Sequence, residues 1–130
     1  MLRALTLLFF CLACTCVRAQ RQTVQDLRMA LDTTESVDLK IDLYSLIYDR
    51  VRRDTAVANG VIDTMRMLRE TTESEYSIGL YYRYLSRHLN QKGQFEAGKV
   101  AIQRGIDALL KAKNNKQLAM AYIDYAALFR

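Results

Sequence analysis

The sequence predicts an all-α chain built from antiparallel helix pairs, and three observations carry that expectation. Apolar residues recur every three or four positions in one segment after another, and no stretch sustains strand-like alternation. The 130 residues include no Pro and only five Gly, whereas a β-sandwich or barrel needs a turn about every ten residues. Side chains suited to cap a helix stand just ahead of most of the periodic segments. An apolar fraction of 51% with 25% charged residues is that of a folded domain, and the length suffices for one core.

Residues 1–19 have the three parts of a secretory leader. Arg3 supplies a positive start, Ala4 to Val17 is uncharged and apolar but for two Thr, and Val17-x-Ala19 forms a small-residue exit. As a helix the apolar run would span about 21 Å, short of a hydrocarbon core of about 30 Å. A buried N-terminal helix is the competing reading, and the lack of any polar face weighs against it. Ala13-Cys14 has half the look of a lipid-attachment site, with Cys11 where an aliphatic residue is expected. All three cysteines fall inside the leader, so a chain processed at Gln20 has no disulfide, thiolate site or cysteine nucleophile. Losing Arg3 and Arg18 with the leader lowers the net charge from +5 to +3, too little for a nucleic-acid footprint.

Residues 20–35 form a short helix and linker, opened by Thr23-x-x-Asp26 with Val24, Leu27 and Leu31 on one stripe. Ser36 caps a longer segment through Ile41, Tyr44, Tyr48 and Val51. Asp54 caps the next, through Val57, Val61, Met65 and Leu68. Thr72-Glu73-Ser74-Glu75 has the pattern of a capping box ahead of Ile78, Tyr81, Tyr82, Leu85 and Leu89. Gly93 is placed as a left-handed stop. Phe95 then begins a helix with Gly98, Ile102, Gly105, Ile106 and Leu109 on one side. Asn114-x-x-Gln117 caps the last, which carries Leu118, Tyr122, Tyr125, Ala126 and Phe129.

The pattern repeats. Tyr82, Leu85, Ser86 and Leu89 match Tyr122, Tyr125, Ala126 and Phe129 as large, large, small, large at identical offsets. A recurrence of this length signals stacked supersecondary units. Together with Gly93, Phe95, Gly98, Ile102 and Gly105, these residues resemble the tetratricopeptide repeat, departing from it at Leu89 and Ile102, in the missing terminal Pro and in the longer spacing. The resemblance implies a short right-handed solenoid over residues 36–130, in units of about 36–71, 72–113 and an incomplete 114–130. An ordinary helix bundle is the alternative. Two Gly inside one helix cost about 1 kcal/mol each, and close packing of the second helix on the first accounts for them.

No arrangement of residues points to catalysis or to a cofactor. His88 has no metal-ligating partner one turn away and reads as a solvated helix-face residue; Glu73 and Glu75 are accounted for by the cap. Tyr81 and Tyr82 fall on the buried stripe, with Tyr84 off it. In the repeat family the first helices line a concave groove, and the resemblance puts Leu80, Arg83, Tyr84, Arg87, Asn90 and Gln91 there. Two Arg one turn apart plus Asn90 suit a carboxylate, although a plain solvated basic face fits as well. Ile123, Asp124 and Ala127 at the matching places give the groove mixed sign, so the family's full carboxylate clamp is absent.

No helix-ending residue follows Leu128-Phe129, and Tyr122, Tyr125 and Phe129 lack the second helix they should pack on. The expectation is the N-terminal piece of a longer protein, or a prematurely ended reading frame, that self-associates or frays at this end. A leader followed by such repeats resembles the periplasmic sensor region of bacterial membrane-bound regulators. The implied role is an exported module, periplasmic or envelope-associated, that binds a protein or peptide. An exported or lipid-anchored scaffold without signalling is the alternative.

Overall fold

A computed structural model describes residues 3–6 and 23–130. The leader reading of residues 1–19, apart from 3–6, lies outside the described residues, as do the three cysteines. Beyond one helical turn at 3–6 the chain forms α1 (Val24–Asp32), α2 (Val37–Val51), α3 (Thr55–Glu70), α4 (Glu75–Gln91), α5 (Phe95–Ala112) and α6 (Asn115–Ala127), with no strand among the described residues. No described helix is long and apolar enough to cross a membrane.

Most of the expected caps form. Thr23 and Asp26 make a reciprocal capping box on α1. Ser36, Asp54 and Asn114 accept from the third backbone N–H of α2, α3 and α6. The cap of α4 differs from expectation. Ser74, not Thr72, is the N-cap, accepting from Ser77 N, while Thr72 Oγ1 accepts from Ser74 N at 3.1 Å. The first turn is held from outside: Tyr76 and Ser77 donate to Asp42 and Asp38 of α2, which fixes where α4 begins.

Gly93 ends α4 as expected. Its φ of +76° lets Gln94 N reach Leu89 O at 2.9 Å and Gly93 N reach Asn90 O at 3.0 Å, the paired bonds of a Schellman turn. The same two bonds close α5, where Lys113 occupies the left-handed position at φ 55°.

Helix α4 is the hub, touching α2, α3, α5 and α6, while among the described residues α3 and α5 do not touch. One core lies on its α2–α3 side, with Ile41, Ile47, Tyr48, Ala58, Met65, Leu80 and Tyr84 buried, and Leu27 joins it from α1. A smaller core of Ile102, Leu109, Ala121 and Leu128 lies between α5 and α6. Between α4 and α5 the contact is made by small residues. A Cβ on Gly105 would sit 3.2 Å from the backbone N of Arg83, and one on Gly98 would sit 3.4 Å from Ser86 O. Ser86 Oγ donates to Gly98 O at 2.8 Å. The two glycines thus face α4, the preceding helix, as expected. Gly79 belongs to the same seam, since a Cβ there would lie 2.6 Å from Leu109 Cγ.

Candidate functional site

Residues from α2, α4 and α6 surround a pocket of about 490 Å³. Tyr48, Arg87, Asn90 and Gln91 line it with Asp124 and Ala127 of α6, and Arg52 and Arg53 stand where α2 ends. Three of the six groove residues expected from sequence, Arg87, Asn90 and Gln91, are therefore brought together. Leu80, Arg83 and Tyr84 are not.

Arg83 is buried, its Nε donating to Asp124 Oδ2 at 2.7 Å and its Nη1 to Gln117 Oε1 at 2.9 Å. Tyr84 is buried too, its hydroxyl donating to Asp49 at 3.0 Å. Leu80 lies in the core. The reason is common to all three. Neighbours cover α4 on both sides, leaving little of the free arc that a surface helix would have, and each buried polar group has found a partner 34 to 41 residues away.

Arg87 is half-buried and already engaged. Its Nη1 donates to Asp49 at 2.8 Å, and its Nε lies 3.9 Å from Asp124. The guanidinium carbons of Arg83 and Arg87 stand 5.2 and 5.0 Å from the Tyr84 ring centroid, in cation–π range. Burial opposes the Arg87 charge, but Asp49, Tyr84 and Asp124 outweigh it and hold the guanidinium more firmly protonated. Burial pushes the Asp124 carboxyl above its ordinary value, against the opposing pull of Arg83 and Arg87. Two Arg and two Asp thus satisfy one another inside the wall of the pocket.

The uncommitted groups lie at the rim. Arg52 and Arg53 are exposed and pair with no carboxylate among the described residues. Gln91 Nε2 donates to Arg52 O at 2.7 Å, which ties the end of α2 to α4. Asn90 is half-buried, and its side chain bonds to no other described residue. Sequence reasoning missed Arg52 and Arg53. Their only signal was a basic doublet just after an apolar stripe, in a segment that looked like a plain connection.

His88 departs most from expectation. It is buried, not solvated, and joins three helices: Nδ1 lies 3.2 Å from Tyr48 Oη of α2, and Nε2 bonds Asn59 Oδ1 of α3. An amide oxygen only accepts, so Nε2 carries the proton, and the neutral ring accepts from Tyr48 at Nδ1. Burial, with Lys92 nearby, pulls the imidazole below its ordinary value against the weaker pull of Asp63. The ring acts as a structural bridge. Among the described residues no three His, Cys, Asp or Glu side chains converge as a metal site.

The arrangement offers hydrogen-bond donors and positive charge around a concave floor. No protein-family model, curated protein or solved structure matches the chain.

Proposed function

We propose that this chain is a tetratricopeptide-like helical repeat domain that binds a peptide or protein segment in the pocket between α2, α4 and α6. The observation that carries the reading is the pocket itself, with Arg52, Arg53 and Asn90 uncommitted at a site walled by α2, α4 and α6. The contact order supports the repeat assignment: α2 meets α4 and α4 meets α6, with α3 and α5 apart. An acidic side chain or chain terminus is the group these donors suit, through charge-assisted bonds. Arg87 serves as a fixed wall with Asp49 and Asp124, and the rim arginines make the contact. The proposed setting is an exported sensor module, which rests on the leader reading of residues 1–19.

The test is binding of fluorescent peptides that differ only in carrying Glu, Gln or Lys at one central position. The Glu peptide should bind best. Replacing Arg52 and Arg53 together by Gln should weaken it about tenfold or more, with the helical signal unchanged. Preference for the Lys peptide, or indifference to the double replacement, would overturn the reading.

A further inference from the structure

We infer that the outer face of α6 is a second docking surface, distinct from the pocket, for an amphipathic helix with acidic residues flanking its apolar stripe. A helix with one side in water normally carries charge on that side. On α6 the outward side is apolar: Met120 is 41% exposed, Tyr122 50%, Ile123 62% and, just past the helix end, Phe129 61%. The one acid of α6, Asp124, is turned inward to Arg83. Between Lys116 and Arg130 α6 itself puts no charge on the outward face, and the one cation beside it, Lys99 of α5 over the Phe129 ring at 4.7 Å, is paired with Glu96.

Spacing and size point to a helical occupant. Ala119, Ile123 and Ala126 follow one another at steps of four and three, and the two small residues let another helix approach closely around Ile123. Tyr122, Ile123 and Phe129, which share one side, amount to an apolar area on the order of 300 Å², against ~800 Å² per partner in a stable dimer. One helix laid along the face matches that area.

Charge then selects the partner. The face ends in Lys116 on one side and Arg130 on the other, both exposed. A second copy docked antiparallel sets Lys116 against Arg130, and a parallel copy sets each against itself. Either way cation meets cation. A helix with Glu or Asp at both ends of its stripe meets opposite charge at both.

The probes are two synthetic amphipathic helices with one Leu stripe, flanked by Glu in one and by Lys in the other. Binding to the full chain is followed by NMR shifts of the α6 amides, and the state of the chain alone by sedimentation. The Glu-flanked helix should bind at least tenfold tighter than the Lys-flanked one, weaken with added salt, and shift α6 without shifting Arg52 or Arg53. Ile123→Glu should abolish binding. Ala119→Glu, on the same exposed face, provides a second variant should the first lose helicity, and should likewise abolish binding. Equal binding of both helices would overturn the proposal, as would binding of neither, the result if another part of this chain covers α6. A dimer of the chain alone that Ile123→Glu disperses would make a second copy the occupant, and would overturn it too.

Discussion

Helix α4 has two neighbourhoods built on opposite principles. Toward α2 and α3 it presents bulk and hydrogen bonds: Tyr48 and Tyr84 meet edge to face at 5.5 Å, and His88 spans from Tyr48 to Asn59. Toward α5 and α6 it presents almost no bulk. Gly79 and Ser86 face Gly105 and Gly98 with the backbones nearly in contact, and a single buried ion pair, Arg83 with Asp124, reaches α6. The first side is filled by large side chains, so its fit depends on shape and on satisfied polar groups. The second gains from proximity, so any added atom must displace a helix. The same helix should therefore respond oppositely on its two sides: loss of atoms weakens one, and gain of atoms weakens the other.

The largest effect should come from the exception on the α5–α6 side. Removing one partner of a buried ion pair leaves the other charge stranded, a loss of about 3–5 kcal/mol. Arg83→Met should fall near the lower end, about 3 kcal/mol, because Arg87 remains 3.9 Å from Asp124. Urea midpoints give the value, and adding Asp124→Leu should restore part of it. A loss under about 1 kcal/mol would mean that α6 does not depend on this pair.

Next comes the close seam itself. Gly105→Leu must push backbone atoms of α4 and α5 apart and should destabilise by roughly 1–3 kcal/mol. Gly60, with open space around its missing Cβ, is the internal control. Gly60→Ala should stabilise by up to about 1 kcal/mol through helix propensity alone. Opposite signs for the two changes sharpen the contrast; a gain at both positions would break it.

What was legible in the sequence follows the same division. The six helices and most of their caps were visible because periodicity and capping are local. The Gly seam was visible as well, since Gly98 and Gly105 are costly inside a helix without close packing. Arg83, Tyr84 and His88 were assigned to solvent because their burial depends on partners 29 to 41 residues away: Asp124, Asp49 and Asn59. A polar residue off the apolar stripe looks exposed until both of its neighbours are known. The pocket was half legible. Arg87, Asn90 and Gln91 lie on one helix, whereas Arg52 and Arg53 reach the site only through the packing of α2 on α4.

On the bulky side the polar bridge should matter at about 1 kcal/mol. Tyr48→Phe keeps the ring but removes the hydroxyl that His88 Nδ1 accepts from, and should cost about that much. The bridge also titrates. Because burial holds His88 below its ordinary value, the unfolded chain takes up a proton first as pH falls. Stability from the neutral ring is thus present above the ordinary value and is lost as pH drops through the lowered one. Urea midpoints between about pH 7 and pH 5 should show this acid-side loss in the parent and less of it in His88→Gln. An identical acid slope in both proteins would place His88 in solvent after all.

The smallest expected effects lie in the turns at the two ends of α5, where backbone strain alone separates the neighbourhoods. Both turns close with the same pair of Schellman hydrogen bonds, so their geometry is shared. They differ in the residue placed at positive φ, Gly93 at 76° before α5 and Lys113 at 55° after it. A left-handed conformation costs a residue with a Cβ about 1–2 kcal/mol, and Gly avoids that at the expense of greater freedom in the unfolded chain, about 0.5–1 kcal/mol. Lys113→Gly should therefore stabilise by about 0.5–1 kcal/mol, and Gly93→Ala should destabilise by a similar amount. No atom lies within 4 Å of a Cβ built on Gly93, so sterics add nothing to its share. Thermal or urea midpoints of the two single variants and of the double variant suffice. The double variant should return close to the parent, because the turns sit at opposite ends of α5 and share no side-chain partner. If Lys113→Gly proves neutral or worse, the lysine side chain must contribute at the C-terminus of α5, where a positive charge favours the helix dipole, by as much as its backbone strain costs.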